Sequence, residues 1–433
     1  MKNLLIASAL LVIGGAQAAE PSPAQTVDAA LTQAQHEHRP LLIDFSAVWC
    51  YSCYYMATHV LNGPQWQALE KRAVVVAADA DSPDGAHWME KLKVKALPAY
   101  VALNADGSEL GRILAEQSRA TFYPQMNTIL GGGDALDTLK AKIKAGSTAA
   151  IADVLSGYLA RDQVQQGLDW YAALPAKRRK IASADTNVAL WIDRLQMEKA
   201  AKDKNNAACV VAATKVLAGN VGCDRYYVLQ SLIECSDKLP VDQRKSLLEV
   251  QRPALDELMS KQVFVAPPVC ADQRTAVIVA ADLDAAIGDR ASETAVLDHA
   301  IVDARQRLGN DLTKDRNLAD NLRVYLTRAQ RTDEVDALMP KLMAAYPDDY
   351  VYAYRYGRSL LERGKPAEAL PYLEQAAAKA FGVNRLGVAT LRVKALLALN
   401  RKADAEKVVA ATLKENGPWF PEQAEKLKAV LKG

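Results

Sequence analysis

The run LLIDFSAVWCYSC, residues 41–53, is the feature that most limits what this chain can fold into. It begins as a compact β-type segment with apolar residues on both faces, as a central strand covered by helices requires. It ends in Cys50 and Cys53, two residues apart at the expected start of a helix. Two sulfurs at that spacing can form a redox couple, half of a zinc site or a structural staple. Zinc takes four ligands, commonly a second Cys-x-x-Cys or a His pair. No second pair exists, and His36, His38, His59, His87 and His299 are scattered without HxxxH or HExxH spacing, as surface or packing residues would be. A staple across so short a loop constrains the unfolded chain little. A dithiol couple is the reading that uses the spacing. The helix N-terminus would stabilise a thiolate at Cys50, and Cys53, one turn deeper, could release a product from the mixed disulfide. That chemistry requires Cys50 to be reachable and its neighbour to be withdrawn from solvent.

The elements around the pair follow a regular order. TVDAALTQAQHEH predicts a helix, stopped by Pro40, and a helix is expected from about Cys50 to Val60. Asn62-Gly63-Pro64 opens another. AVVVAADA reads as a second buried strand and GAHWMEKLKV as a short helix. AYVAL and ELGRIL read as strands joined through Asp106-Gly107, a hairpin signal, and Ser118–Leu130 as the last helix. The order is βαβαββα, preceded by one helix. Asp44 lies inside the first strand. If it is buried, its carboxyl is pushed up and suits proton transfer near neutral pH; on an edge strand it would simply face water.

Gly131-Gly132-Gly133 marks a boundary beyond which the chain reads as helices with short polar breaks. Near the C-terminus, YRYGRSLLERGKPAEALPYLEQA spaces Gly357, Leu360, Gly364, Ala369, Leu373 and Ala376 much as a tetratricopeptide repeat does. Three degenerate repeats are expected at about 316–349, 350–383 and 386–419, with unrelated helical hairpins in series as the alternative. The expected division is a signal segment at 1–18, an α/β domain at 22–132, helical hairpins at 134–315 and repeats at 316–433. QVFVAPPVC (262–270) reads as an irregular joint.

MKNLLIASALLVIGGAQA has the marks of an export signal: Lys2, the apolar run Leu4–Ile13 and the small-residue site Ala16-Gln17-Ala18. The run is about half the length that a spanning helix needs, and no later segment approaches one. A protein of the periplasm, not spanning the membrane, is expected. A formal net charge of +2 gives no reason to expect nucleic acid as a partner. In an oxidising compartment, Cys209, Cys223, Cys235 and Cys270 are expected to be structural staples. A helical hairpin turning near Gly219–Val221 would bring Cys209 level with Cys235, which favours 209–235 with 223–270. A second redox site is the rival, without CxxC spacing to support it.

The set LLIDFSAVWCYSC and VKALPAYVALNADGSELGR resembles the active-site strand and the cis-proline strand with hairpin of the thioredoxin superfamily. Within it, the likeness is to the C-terminal periplasmic domain of the DsbD transmembrane reductase. It covers about residues 22–130. The resemblance implies a thioredoxin-like fold with Cys50 as nucleophile, Cys53 as resolving thiol and Asp44 as the buried acid that moves its proton. It also implies a cis peptide before Pro98 and Leu97 main-chain groups free to pair with substrate. Trp49 and Tyr51 would join Leu97 in contacting substrate. Tyr51-Ser52 is not a histidine-containing pair and Tyr54 replaces a common lysine, so a powerful oxidant is disfavoured. A reductase or isomerase of disulfides in exported proteins is expected. It would need no cofactor beyond the two sulfurs and would draw electrons from a partner such as a membrane thiol reductase. The helical repeats are expected to bind a client or partner. The alternative is a non-catalytic interaction scaffold in which the disulfide is permanent.

Overall fold

A computed structural model of the protein describes residues 26–432, apart from 134, 145, 146 and 148. The expected signal segment lies outside the described residues. Helix α1 (Val27–Glu37) precedes β1 (Leu41–Ser46), and α2 (Tyr51–Tyr55) runs into a π-helical turn over Met56–Val60. Then come α3 (Gly63–Glu70), β2 (Val74–Asp79), α4 (Pro83–Leu92), β3 (Ala99–Leu103), β4 (Glu109–Leu114) and α5 (Arg119–Leu130). The helix expected from Cys50 to Val60 is present, with its second half wound as a π turn. Its wider second turn sends both Met56 and Val60 fully into the core, and Asn62-Gly63 ends it, with Gly63 at φ +73°.

The sheet order is β2-β1-β3-β4, with β1 and β2 parallel and the rest antiparallel. β1 is thus central, and its residues alternate between two cores because successive strand side chains face opposite sides. Leu41, Ile43 and Phe45 pack with Val27, Ala30, Val76 and Trp88 on the α1/α4 side. Leu42 packs with Met56, Val60, Tyr100, Phe122 and Met126 on the other. Asp44 shares Leu42's side, the one covered by α2 and α5.

Beyond α5 every regular element among the described residues is a helix. Sequential helices pair, as in Val351–Glu362 with Pro366–Ala377 and Gly382–Ala398 with Lys402–Asn416. Their close approach explains the small residues of the repeat pattern. A Cβ on Gly357 would stand 2.7 Å from Leu373 Cγ and 3.3 Å from the Ala369 carbonyl oxygen. The turn inside each pair carries a left-handed residue at a corresponding place: Gln330, Gly364 and Asn400, at φ 57°, 73° and 57°. Cys209 is joined to Cys235 and Cys223 to Cys270, with Cα–Cα distances of 6.0 and 5.3 Å. The joint before Cys270 contains a cis Ala266–Pro267 bond, and the Val269 and Cys270 N–H groups both donate to the Gln262 oxygen.

Candidate functional site: a disulfide between two domains

Cys50 is the N-cap of α2, and its Sγ accepts a hydrogen bond from the Cys53 N–H at 3.1 Å. The two cysteines form a disulfide with Cα atoms 5.2 Å apart. Beside it stands the Leu97–Pro98 bond, which is cis, and Leu97 and Ala80 pack against the cluster of Ala47, Cys50 and Cys53. The Pro98 oxygen accepts from Ala115, whereas the main-chain N–H and C=O of Leu97 have no hydrogen-bond partner among the described residues. Asp44 lies on the central strand that delivers the cysteines, paired in register with Tyr100. Its Oδ1 is sealed from solvent and unpartnered, and burial pushes its carboxyl up to about 7.

One expectation does not hold. Cys50 was to be the accessible sulfur, yet it is only 4% exposed and Cys53 only 8%. The residues packed on the pair, Ala47, Ala80 and Leu97, belong to the α/β domain itself, and the helical region holds the residues on either side of it. Arg355, on the 351–362 helix, donates through Nη2 to the Trp49 oxygen at 2.9 Å, and Asn317 Nδ2 donates to the Tyr51 oxygen at 2.9 Å. The Tyr51 hydroxyl lies 3.4 Å from Asp272 Oδ2 and 3.2 Å from Thr275 Oγ1, while the Arg274 guanidinium stacks 3.5 Å from its ring centroid. Arg316 stands 4.1 Å from the Tyr54 ring centroid, so the cation missing at position 54 is matched by one held above it. His59 Nε2 lies 2.9 Å from Asp315 Oδ2.

Two of these arms, Arg274 and Arg355, share a fully buried anchor. Asp320 receives Arg274 Nη2 at 2.6 Å, Arg323 Nε at 3.0 Å and Arg355 Nη1 at 2.5 Å. Burial alone would raise its carboxyl. The Arg323, Arg274 and Arg355 charges outweigh burial and hold it far below the carboxylate range. A second buried acid, Glu116, sits two residues beyond β4. Burial pushes it well above its ordinary value, and the Asp272 charge adds to this. The Ser52 hydroxyl between the cysteines opposes the rise slightly without completing a hydrogen bond to either Glu116 oxygen.

Trp49 is 39% exposed and is tethered through Nε1 to Asp81 Oδ2 at 2.8 Å. It lines an open cleft of about 410 Å³ with Tyr350, Tyr354, Arg355 and Val383. Sequence reasoning missed Asp272, Arg274, Asn317, Asp320, Arg355 and Glu116. Asn317, Asp320 and Asn321 fall at i, i+3 and i+4, a polar stripe inside a helix that could have flagged a buried contact.

Residues 22–105 match a family model described as thioredoxin-like. A thiol:disulfide interchange protein DsbD from Photorhabdus laumondii subsp. laumondii is 28% identical over 78 residues, 18% of this chain and only 14% of that protein's length. A thioredoxin from Thermus thermophilus is 28% identical over 25% of this chain and 86% of its own, with a TM-score of 0.24. A tetratricopeptide repeat protein from Parabacteroides merdae covers 63% of this chain and 96% of its own at 10% identity, with a TM-score of 0.36. The N-terminal domain, with its Cys-x-x-Cys pair, is thioredoxin-like, and it is followed by a long region whose regular elements among the described residues are all helices.

Proposed function

We propose that this protein is a periplasmic thiol–disulfide oxidoreductase that reduces or isomerises disulfides in exported proteins. The observation that carries the reading is the Cys50–Cys53 disulfide capping a helix beside the cis Leu97–Pro98 bond, on a strand holding a buried acid. In the reduced protein the Cys50 thiolate attacks a client disulfide. A mixed disulfide forms and one client sulfur leaves as a thiolate. Asp44 takes the proton of Cys53, whose thiolate attacks Cys50 Sγ and expels the second client sulfur. The client gains two electrons, its two thiolates take up protons from Asp44 and from solvent, and the protein ends with its disulfide restored. An external dithiol, such as a membrane thiol reductase, resets it. The helical region holds the client or partner. No helix among the described residues is long and apolar enough to cross a membrane.

The near-complete burial of both cysteines favours a second reading, a scaffold with a permanent disulfide. Insulin reduction by dithiothreitol separates the two. Wild type is expected to accelerate it and Cys50→Ser is not; equal rates favour the scaffold. The midpoint potential of the pair tests direction. A value near about −270 mV supports a reductase, and one near about −120 mV makes it an oxidant.

A further inference from the structure

A second buried acid stands at the redox pair and takes no part in the exchange described above. The segment that carries it is clamped from both sides. The Ala115 N–H donates to the Pro98 oxygen at 3.0 Å, and the Gln117 N–H donates to Met56 Sδ at 3.2 Å, in the π turn that follows α2. Glu116, between them, is 6% exposed, and both its carboxyl oxygens are sealed from solvent without a hydrogen-bond partner among the described residues. It faces Ser52, the buried residue beside Cys53. Tyr55 and Tyr100 of the α/β domain face it too, as do Tyr226 and Tyr325 of the helical region. Burial pushes all four phenols up, Tyr55 to about 12, so they stay neutral near pH 7. The charges that act most on Glu116 are therefore those of Asp272, Arg274 and Asp315, and all three belong to the helical region.

We infer that Glu116 is a positioning residue of the redox site, acting across Ser52 on the charge of the reduced pair, and that the helical region decides when it is ionised. The inference rests on the redox reading of Cys50 and Cys53 and names the regulation of that site. Reduction by an external dithiol breaks the Cys50–Cys53 bond, and the donor's two sulfurs join as its own disulfide. The pair gains two electrons, and the donor gives up two protons. One proton ends on Cys53, and Cys50 is left as a thiolate. The other goes to an ionised Glu116 when the new charge at Cys50 draws a proton onto it, and otherwise to solvent. A neutral Glu116 leaves the thiolate undisturbed. An ionised one sets a second negative charge against it in a buried place, where like charges repel strongly. The reduced form is then less favoured, and the potential falls. Burial and the Asp272 charge keep the proton on Glu116, whereas Arg274 favours its loss. The helices thereby set the pH above which the pair becomes a stronger reductant.

The test poises the full chain in glutathione or dithiothreitol buffers from about pH 5 to about pH 9 and compares the midpoint potentials of wild type and Glu116→Gln. Gln has the shape of the protonated acid and carries no charge at any pH, and Asp44 is common to both proteins. The two curves are expected to coincide at the acid end. At the alkaline end wild type should lie lower by at least about 30 mV, a tenfold change in the equilibrium constant of a two-electron couple. Asp272→Asn removes a charge that keeps the proton on Glu116 and retains an oxygen for the Thr275 N–H. On that background the same comparison should separate at lower pH. Curves that coincide throughout, or that differ by one amount at every pH, would overturn the role of Glu116, since packing alone is blind to pH. A separation that begins at the same pH with and without the Asp272 charge would overturn the control by the helical region. A disulfide that neither buffer reduces in the folded protein would instead end the redox reading itself.

Discussion

The side-chain amide of Asn317 meets the main-chain oxygen of Tyr51 at 2.9 Å across 266 positions of sequence. It ties the first helix of a repeat pair to the dipeptide between the two cysteines. Tyr51 is also held through its hydroxyl by Asp272 and Thr275, and Tyr227 donates to the same Asp272 oxygen at 2.8 Å. Asp272 follows Cys270 by two residues and Tyr227 follows Cys223 by four. The Cys223–Cys270 bridge therefore joins the start of the helix that carries Tyr227 to the start of the one whose Asp272, Arg274 and Thr275 hold Tyr51, whereas Cys209–Cys235 ties the helices that flank the 219–221 turn.

The two bridges should respond differently to removal. Replacing either pair by alanines should cost about 2–4 kcal/mol, slightly more for the longer 223–270 loop, as measured by urea denaturation. Only loss of 223–270 should also change the midpoint potential of Cys50/Cys53. An identical potential in both variants would show that the grip on Tyr51 does not depend on that bridge.

Asp44 gives a pH dependence with a definite sign. Its carboxyl ionises near 3.8 in the unfolded chain and at about 7 in the folded one, so the unfolded state releases the proton first. The cost to stability is absent below about pH 3.8, grows as pH rises towards about 7 and is constant above. Asp44→Asn should therefore stabilise the protein relative to wild type by roughly 2–4 kcal/mol at pH 8 and hardly at pH 4. The same variant should slow release of client from the mixed disulfide by about a hundredfold, the scale of general-base removal. Parallel denaturation curves at the two pH values, with quenched-flow of the resolving step, check both halves.

How far the sequence could be read follows from the range of each interaction. The α/β order was legible because each strand and helix announces itself within a dozen residues. Asp44 was legible because a lone acid in LLIDF has few places to go. The repeat pairs were legible from Gly357, Ala369 and Leu373, which pack against each other locally. The grip on Trp49 and Tyr51 was not, because it is built from Asp272, Asn317 and Arg355, each distant in the chain and unremarkable among its own neighbours. The π turn at Met56–Val60 was hidden for a related reason: its spacing answers to the core it fills rather than to local propensity.

Asp320 should be the most sensitive polar position. It is wholly buried and balances three guanidinium groups from three helices. Asp320→Asn leaves those cations without their shared anion and should cost about 3–5 kcal/mol, the scale of breaking a buried pair from one side. Thermal denaturation measures it. The same loss should loosen Arg355 and Arg274 from Trp49 and Tyr51 and raise the rate at which iodoacetamide alkylates Cys50 in the reduced protein. A destabilised variant with unchanged alkylation would separate the anchor from the grip on Trp49 and Tyr51.

Gly382 tests the docking of the last helices on the Asp81 turn. It sits at φ +52°, and an added Cβ would stand 2.0 Å from the Asp81 oxygen and 2.9 Å from its carbonyl carbon, both backbone atoms that cannot swing away. Gly364 supplies the comparison: its φ of +73° carries the same left-handed penalty, but a Cβ there meets nothing within 4 Å. Gly364→Ala should cost about 1–2 kcal/mol for conformation alone. Gly382→Ala should add about 1–3 kcal/mol of overpacking and displace the 382–398 helix from the turn. Its Val383–Asp81 hydrogen bond, 3.1 Å long, would be lost with that shift, so amide exchange at Val383 should rise in the variant and stay at the wild-type rate in Gly364→Ala. Equal costs for the two substitutions would mean that the contact at Asp81 yields easily.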